Sequence, residues 1–170
     1  MVELIRVDIC MDASGRGSMM AMPREGQLAQ VYRMFSFLRC HHNAVMVFDP
    51  SEPNIDESAF PKQDWTSSAY GECKEEIPNN APEPRGKEVD IGCFMDADHA
   101  EDTVSRTSRT GFFIYINMAP IVFHSKKQTT IEISLLDSEC VAMNTTMETS
   151  IGVRCKLRRT RVPINCPHTK

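Results

Sequence analysis

The sequence predicts an α/β fold in which a three-stranded antiparallel meander leads into one long helix, with a shorter helical segment in front. Three observations carry this expectation. β-Prone runs at 89–95, 111–118 and 121–125 follow one another through short links, as strands paired in chain order do. Leu136, Cys140, Met143 and Met147 recur at spacings of three and four, which predicts a helix over 135–159. Leu28, Val31, Tyr32, Phe35 and Leu38 repeat that spacing over 23–42 and share one helical face.

Taken in order, residues 1–22 offer a short apolar segment (Val2, Leu4, Ile5, Val7, Ile9) and then ASGRGS at 13–18, which reads as a turn or loop. Gly15 and Gly17 lack the third glycine of a phosphate-binding loop. The helix over 23–42 starts well, because Pro23 suits a first helical position and Glu25 complements the positive end of the dipole. Cys40, His41 and His42 at its end do not read as a metal site, since adjacent helical residues point apart. Residues 44–48 (AVMVF) are β-prone. From Asp49 to Gly86 the chain is polar, acidic (Glu72, Glu75, Glu76) and rich in proline, with no periodic apolar face and with Phe60 and Trp65 as residues that could dock on a neighbour. This divides the chain into segments 1–48, 49–88 and 89–170, the middle one a connector. In the third, 97–110 is a polar turn, Ala119-Pro120 a tight link, 129–133 a further β-prone stretch, and Pro163 and Pro167 stop the long helix.

A hydrophobic content of 41% with 25% charged residues fits a folded globular chain. The net charge of −4 conceals an acidic front and a basic back: residues 1–100 hold 9 Lys and Arg against 17 Asp and Glu, and residues 101–170 hold 10 against 6. No run of about 18 apolar residues is present to span a membrane, and MVELIRVDIC lacks a signal-peptide pattern. Seven scattered cysteines without a CxxC pair read as thiols in a reducing compartment. The expected location is intracellular, in cytoplasm or nucleus.

The candidate chemistry lies in Asp96, Asp98, Asp137 and Glu139. Carboxylates from a strand end and a packed helix are what two divalent ions about 4 Å apart require to hydrolyse a phosphodiester, and Mg2+ prefers such hard oxygen ligands. Arg106, Arg109, Lys126 and Lys127 on the meander are candidate phosphate contacts. The structural alternative stays open: a turn Asp, acids at a helix N-terminus and solvated basic residues are ordinary features of folded chains.

The residues also carry a family likeness. Asp96-Ala97-Asp98-His99-Ala100 with Asp102, the Ser105-Arg106-x-Ser108-Arg109-Thr110-Gly111-Phe112 block, Ala119-Pro120-Ile121, Ser125-Lys126-Lys127-Gln128 and the helical Ser138-Glu139 pair resemble, in order and spacing, the RNase H region of copia-type retrotransposon Pol polyproteins. Arg6-Val7-Asp8-Ile9, Pro23-Arg24-Glu25-Gly26, His41-His42 and Phe48-Asp49-Pro50 are similar to the reverse transcriptase tail that precedes it. The resemblance implies a truncated RNase H-like fold behind a reverse transcriptase tail. Asp96 and Glu139 would be the catalytic pair and the Mg2+ ligands, acting on the RNA of an RNA–DNA hybrid. The family's Gly-Asp-Asn block, which brings the next catalytic Asp, would fall beyond Lys170, and Cys140 stands where the family has an aromatic. The expectation is therefore an inactive remnant of a Pol polyprotein, or alternatively a non-catalytic nucleic-acid-binding module. Half of such a domain would leave an open sheet edge and an uncovered helix face, a hazard for stable folding.

Overall fold

A computed structural model describes residues 6–17, 19–54, 77–100, 102 and 105–165. Expectations for Phe60, Trp65 and Glu72–Glu76, for Val2, Leu4 and Ile5, and for Pro167 fall outside the described residues. After a single 3-10 turn at Val7–Ile9 come helices α1 (Cys10–Gly17) and α2 (Glu25–Cys40), strands β1 (Ile91–Asp98), β2 (Arg109–Ile116) and β3 (Ala119–Lys127), and helix α3 (Leu135–Arg159). The mixed fold with a three-stranded antiparallel sheet in the order β1-β2-β3 is as expected. Residues 44–48 and 129–133 are not strands.

The β2–β3 hairpin turns at Asn117-Met118, two residues earlier than Ala119-Pro120. Asn117 takes a positive φ of 54°, which asparagine tolerates better than most residues. Its side chain fixes the turn by accepting from the Asp90 amide (2.9 Å) and donating to the Pro50 carbonyl (3.0 Å). Downstream, the register slips so that Ile114 pairs with Val122 and Tyr115 with Pro120. This bulge accommodates a proline that has no N–H to give the ladder.

The sheet has two unlike faces, as strand alternation requires. Thr110, Phe112 and Ile114 project from β2 to one side, where α3 packs against β1 and β2. Gly111, Phe113 and Tyr115 project to the other, where α1 packs against β3. The ASGRGS stretch is thus largely helix, not loop. Arg109 reaches from β2 to the Ser14 hydroxyl on α1 (2.9 Å), and Gly15 lies so close that a Cβ there would sit 3.6 Å from the Arg109 guanidinium. Tertiary contact, in place of propensity, holds this short helix.

Helix α3 begins and ends where its periodicity places it. Ser134 and Asp137 form a reciprocal cap: the Asp137 amide donates to Ser134 Oγ (3.2 Å), and Ser134 Oγ donates to Asp137 Oδ2 (2.8 Å). The buried face is not the one that carries the apolar repeat. Ser138, Ala142 and Thr146 face the sheet, whereas Leu136 (71% exposed), Met143, Met147 and Ile151 face outward. Small residues let the helix approach the sheet closely, and Thr146 satisfies its buried hydroxyl by donating to the Ala142 carbonyl (2.8 Å). In α2 likewise no residue is buried, and Leu28, Tyr32 and Phe35 lie open. His41 closes that helix, with its ring Nδ1 3.1 Å from the Phe37 carbonyl and its imidazole stacked on Phe37.

Beyond α3 the chain returns to the segment just ahead of β1. Val89 forms an isolated parallel bridge with Ile164, made by the Val89 amide to the Pro163 carbonyl (3.0 Å) and the Asn165 amide to the Val89 carbonyl (2.9 Å). Cys40, Cys93, Cys140 and Cys155 are exposed free thiols, and Cys10 is buried. Among the described residues no helix is long and apolar enough to cross a membrane.

Candidate functional site

Asp96 lies in β1 opposite Gly111 of β2, next to Ala97, which pairs with Thr110. Thr110 belongs to the α3 side of the sheet: its hydroxyl accepts from the buried Gln128 amide (3.0 Å), which also donates to the Ser138 carbonyl of α3 (3.0 Å). Ala97 therefore faces α3, and Asp96 projects from the other face, toward α1. Glu139 follows the fully buried Ser138 on α3 and is half-buried there. The fold thus places the two sequence-derived carboxylates on opposite sides of one sheet and does not bring them to a common point. Asp137 is engaged in the Ser134 cap, and Asp98 shares the Asp96 face. Among the described residues no group of three or more His, Cys, Asp or Glu side chains is placed to hold a metal ion. The described residues do not assemble the two-ion arrangement.

The four basic candidates divide in half. Arg109 is buried and contacts Ser14. Lys127 donates to Asp102 Oδ2 (2.8 Å) and to Ser105 Oγ (2.9 Å). Ser105 Oγ in turn donates to Asp102 Oδ2 (2.7 Å) and lies 2.8 Å from Thr107 Oγ1. This polar knot ties the β1–β2 connection to β3. Arg106, at a positive φ of 57°, and Lys126 are left exposed.

Sequence reasoning missed the surroundings of Asp96. Its carboxylate lines a cavity of about 330 Å3 between α1 and the sheet, with Cys10 and Met11 on the helix side and Phe94, Phe113 and Phe123 on the sheet side. The available signal was charge placement around ASGRGS: Asp12 in the first turn and Arg16 in the last suit a helix dipole.

No family model matches the chain, and no solved structure matches it. Over 68 residues it is 31% identical to Secreted RxLR effector protein 161 of Plasmopara viticola. The match covers 40% of this chain and 48% of that protein, so the chain spans about half the length of the curated relative it matches. This finding corrects several expectations. The relative is a secreted effector and not a retrotransposon Pol polyprotein. The reverse transcriptase tail, the remnant ribonuclease of a Pol polyprotein, and the intracellular location are overturned with it. The structure supplies a physical reason: several residues behind the resemblance have structural tasks. Asp102, Ser105 and Lys127 make the loop knot, Arg109 anchors α1, and Gln128 bridges β2 to α3.

Proposed function

We propose that this chain is an effector-type protein that acts outside the cell that makes it, by binding a protein partner. The observation that carries the proposal is its 31% identity over 68 residues to a secreted effector. The surface supports it. Leu136, Met143, Met147 and Ile151 form an outward stripe along α3, with Lys156 and Arg159 exposed at its C-terminal end. Methionine adapts to the shape of a partner, and apolar residues at spacings of three and four on one helix match the grooves that receive amphipathic helices. The basic end selects a groove with an acidic rim.

An antibody against this chain tests the reading. The antigen is expected in the medium around the cells that express it, with an intracellular marker absent from that fraction. Antigen confined to the cells that express it would defeat the proposal.

The finer reading of the architecture is an RNase H-like arrangement, as a matter of fold and without the ribonuclease. Its support is the order meander, helix, and a parallel bridge from Ile164 to Val89, two residues ahead of β1. The Val89 and Asn165 amides are then expected to exchange with solvent at least about tenfold more slowly than the amides of exposed turns. Exchange at turn rates would show that the parallel bridge does not form.

A further inference from the structure

We propose that the cavity between α1 and the sheet is a binding site for an organic ammonium ion, a cationic nitrogen carrying alkyl groups. The walls are aromatic. Phe113 is the cross-strand neighbour of both Phe94 and Phe123, with its ring centroid 6.4 Å from that of Phe123 and 6.2 Å from that of Tyr115. Phe94 meets Tyr115 edge-on at 5.6 Å. Among the described lining residues Asp96 is the single carboxylate, and there is no Lys or Arg. The imidazole of His124 belongs to the other face, stacked on Phe112.

Asp96 Oδ1 accepts from the neighbouring Ala97 amide at 2.9 Å. Among the described residues the carboxylate has no other hydrogen-bond or ion-pair partner, so the site presents an exposed negative charge at the open side of apolar walls. A cation that settles on the aromatic walls comes within reach of this charge and gains its attraction. Aromatic faces carry negative quadrupole density and attract a cation held against them. The combination selects the ligand. A metal ion needs several oxygen or nitrogen donors to replace its water, and phenylalanine rings supply none. An anion is repelled by Asp96. An alkylated ammonium is weakly hydrated, and its methyl groups pack on the rings while its charge faces the carboxylate. The volume, about 330 Å3, suits a small headgroup or one side chain rather than a large cofactor.

Two sources share this chemistry: a free small molecule of the choline type, and a methylated lysine on a partner protein. Titration of the intact chain by calorimetry, with choline, its neutral carbon isostere 3,3-dimethylbutanol, and a trimethyl-lysine peptide, tests the proposal and separates the sources. Choline or the peptide is expected to bind about tenfold or more tightly than the neutral isostere. Whichever cation binds tighter identifies the source. Asp96→Asn is expected to reduce the preference for charge severalfold, leaving the part that the aromatic rings supply. Phe94→Ala, at a ring that is 66% exposed, is expected to weaken cation binding severalfold while circular dichroism and the melting temperature stay unchanged. Equal affinity for cation and isostere, no binding of either cation, or an unchanged preference in Asp96→Asn would each overturn the proposal.

Discussion

Ile114→Ala is expected to lower stability by about 2–5 kcal/mol, the range for deleting a buried isoleucine or leucine side chain in a core that does not collapse to fill the gap. Ile114 is the largest fully buried side chain among the described residues, at 0% exposure. It sits in the central strand, paired with Cys93 on one side and Val122 on the other, and faces the layer that α3 covers. No neighbour can close the space easily, because two strands and a helix pin the position. Total stability for a domain of this kind is about 5–15 kcal/mol, so this single truncation removes a large share of it. Ile133→Ala is the control. That residue is 96% exposed, and its loss is expected to stay within about 0.5 kcal/mol. Urea denaturation followed by circular dichroism measures both, with the midpoint shifting and the slope retained. A cost below about 1 kcal/mol for Ile114→Ala would mean that the meander and α3 do not form one packed core.

Much of the architecture was legible because local and tertiary signals agree there. The three strands in chain order and the bounds of α3 follow from β-prone runs, from the three-and-four spacing of Leu136, Cys140, Met143 and Met147, and from Pro163 beyond the helix end. Agreement fails elsewhere for identifiable reasons. Gly15 and Gly17 suggest a loop, yet Arg109 arrives from 95 residues away to clasp Ser14, and no local pattern announces that contact. Residues 44–48 have β propensity but no partner strand, and propensity without pairing does not make a sheet. Periodicity identified α3 as a helix, but a helix with two usable stripes needs its neighbour's shape to decide which one turns inward. The same missing fact governs the site. Asp96 and Glu139 are visible in sequence as a strand-end acid and a helix-start acid. Their separation depends on which sheet face α3 covers, and Ala97, not Asp96, has the parity that points there.

The reversed packing of α3 gives the second large effect. Ala142→Leu is expected to destabilise the protein by about 1–3 kcal/mol through overpacking, although leucine has the higher hydrophobicity and both residues are good helix formers. Ala142 is 0% exposed and lies between Ser138 and Thr146 on the face that meets β1 and β2. A branched side chain there must push the helix off the sheet or force its rotamer. Either response strains the nearby bridge from Gln128 to the Ser138 carbonyl, and a buried amide that loses a partner adds to the cost. Met147→Gln, one residue along from Thr146 and 56% exposed, is expected to stay within about 0.5 kcal/mol, because the glutamine side chain faces water. Thermal melts of the two variants beside the parent chain discriminate the two possible orientations of the helix. The reverse ranking, with Met147→Gln costly and Ala142→Leu neutral, would return the methionine stripe to the core and remove the exposed surface on which partner binding by α3 depends.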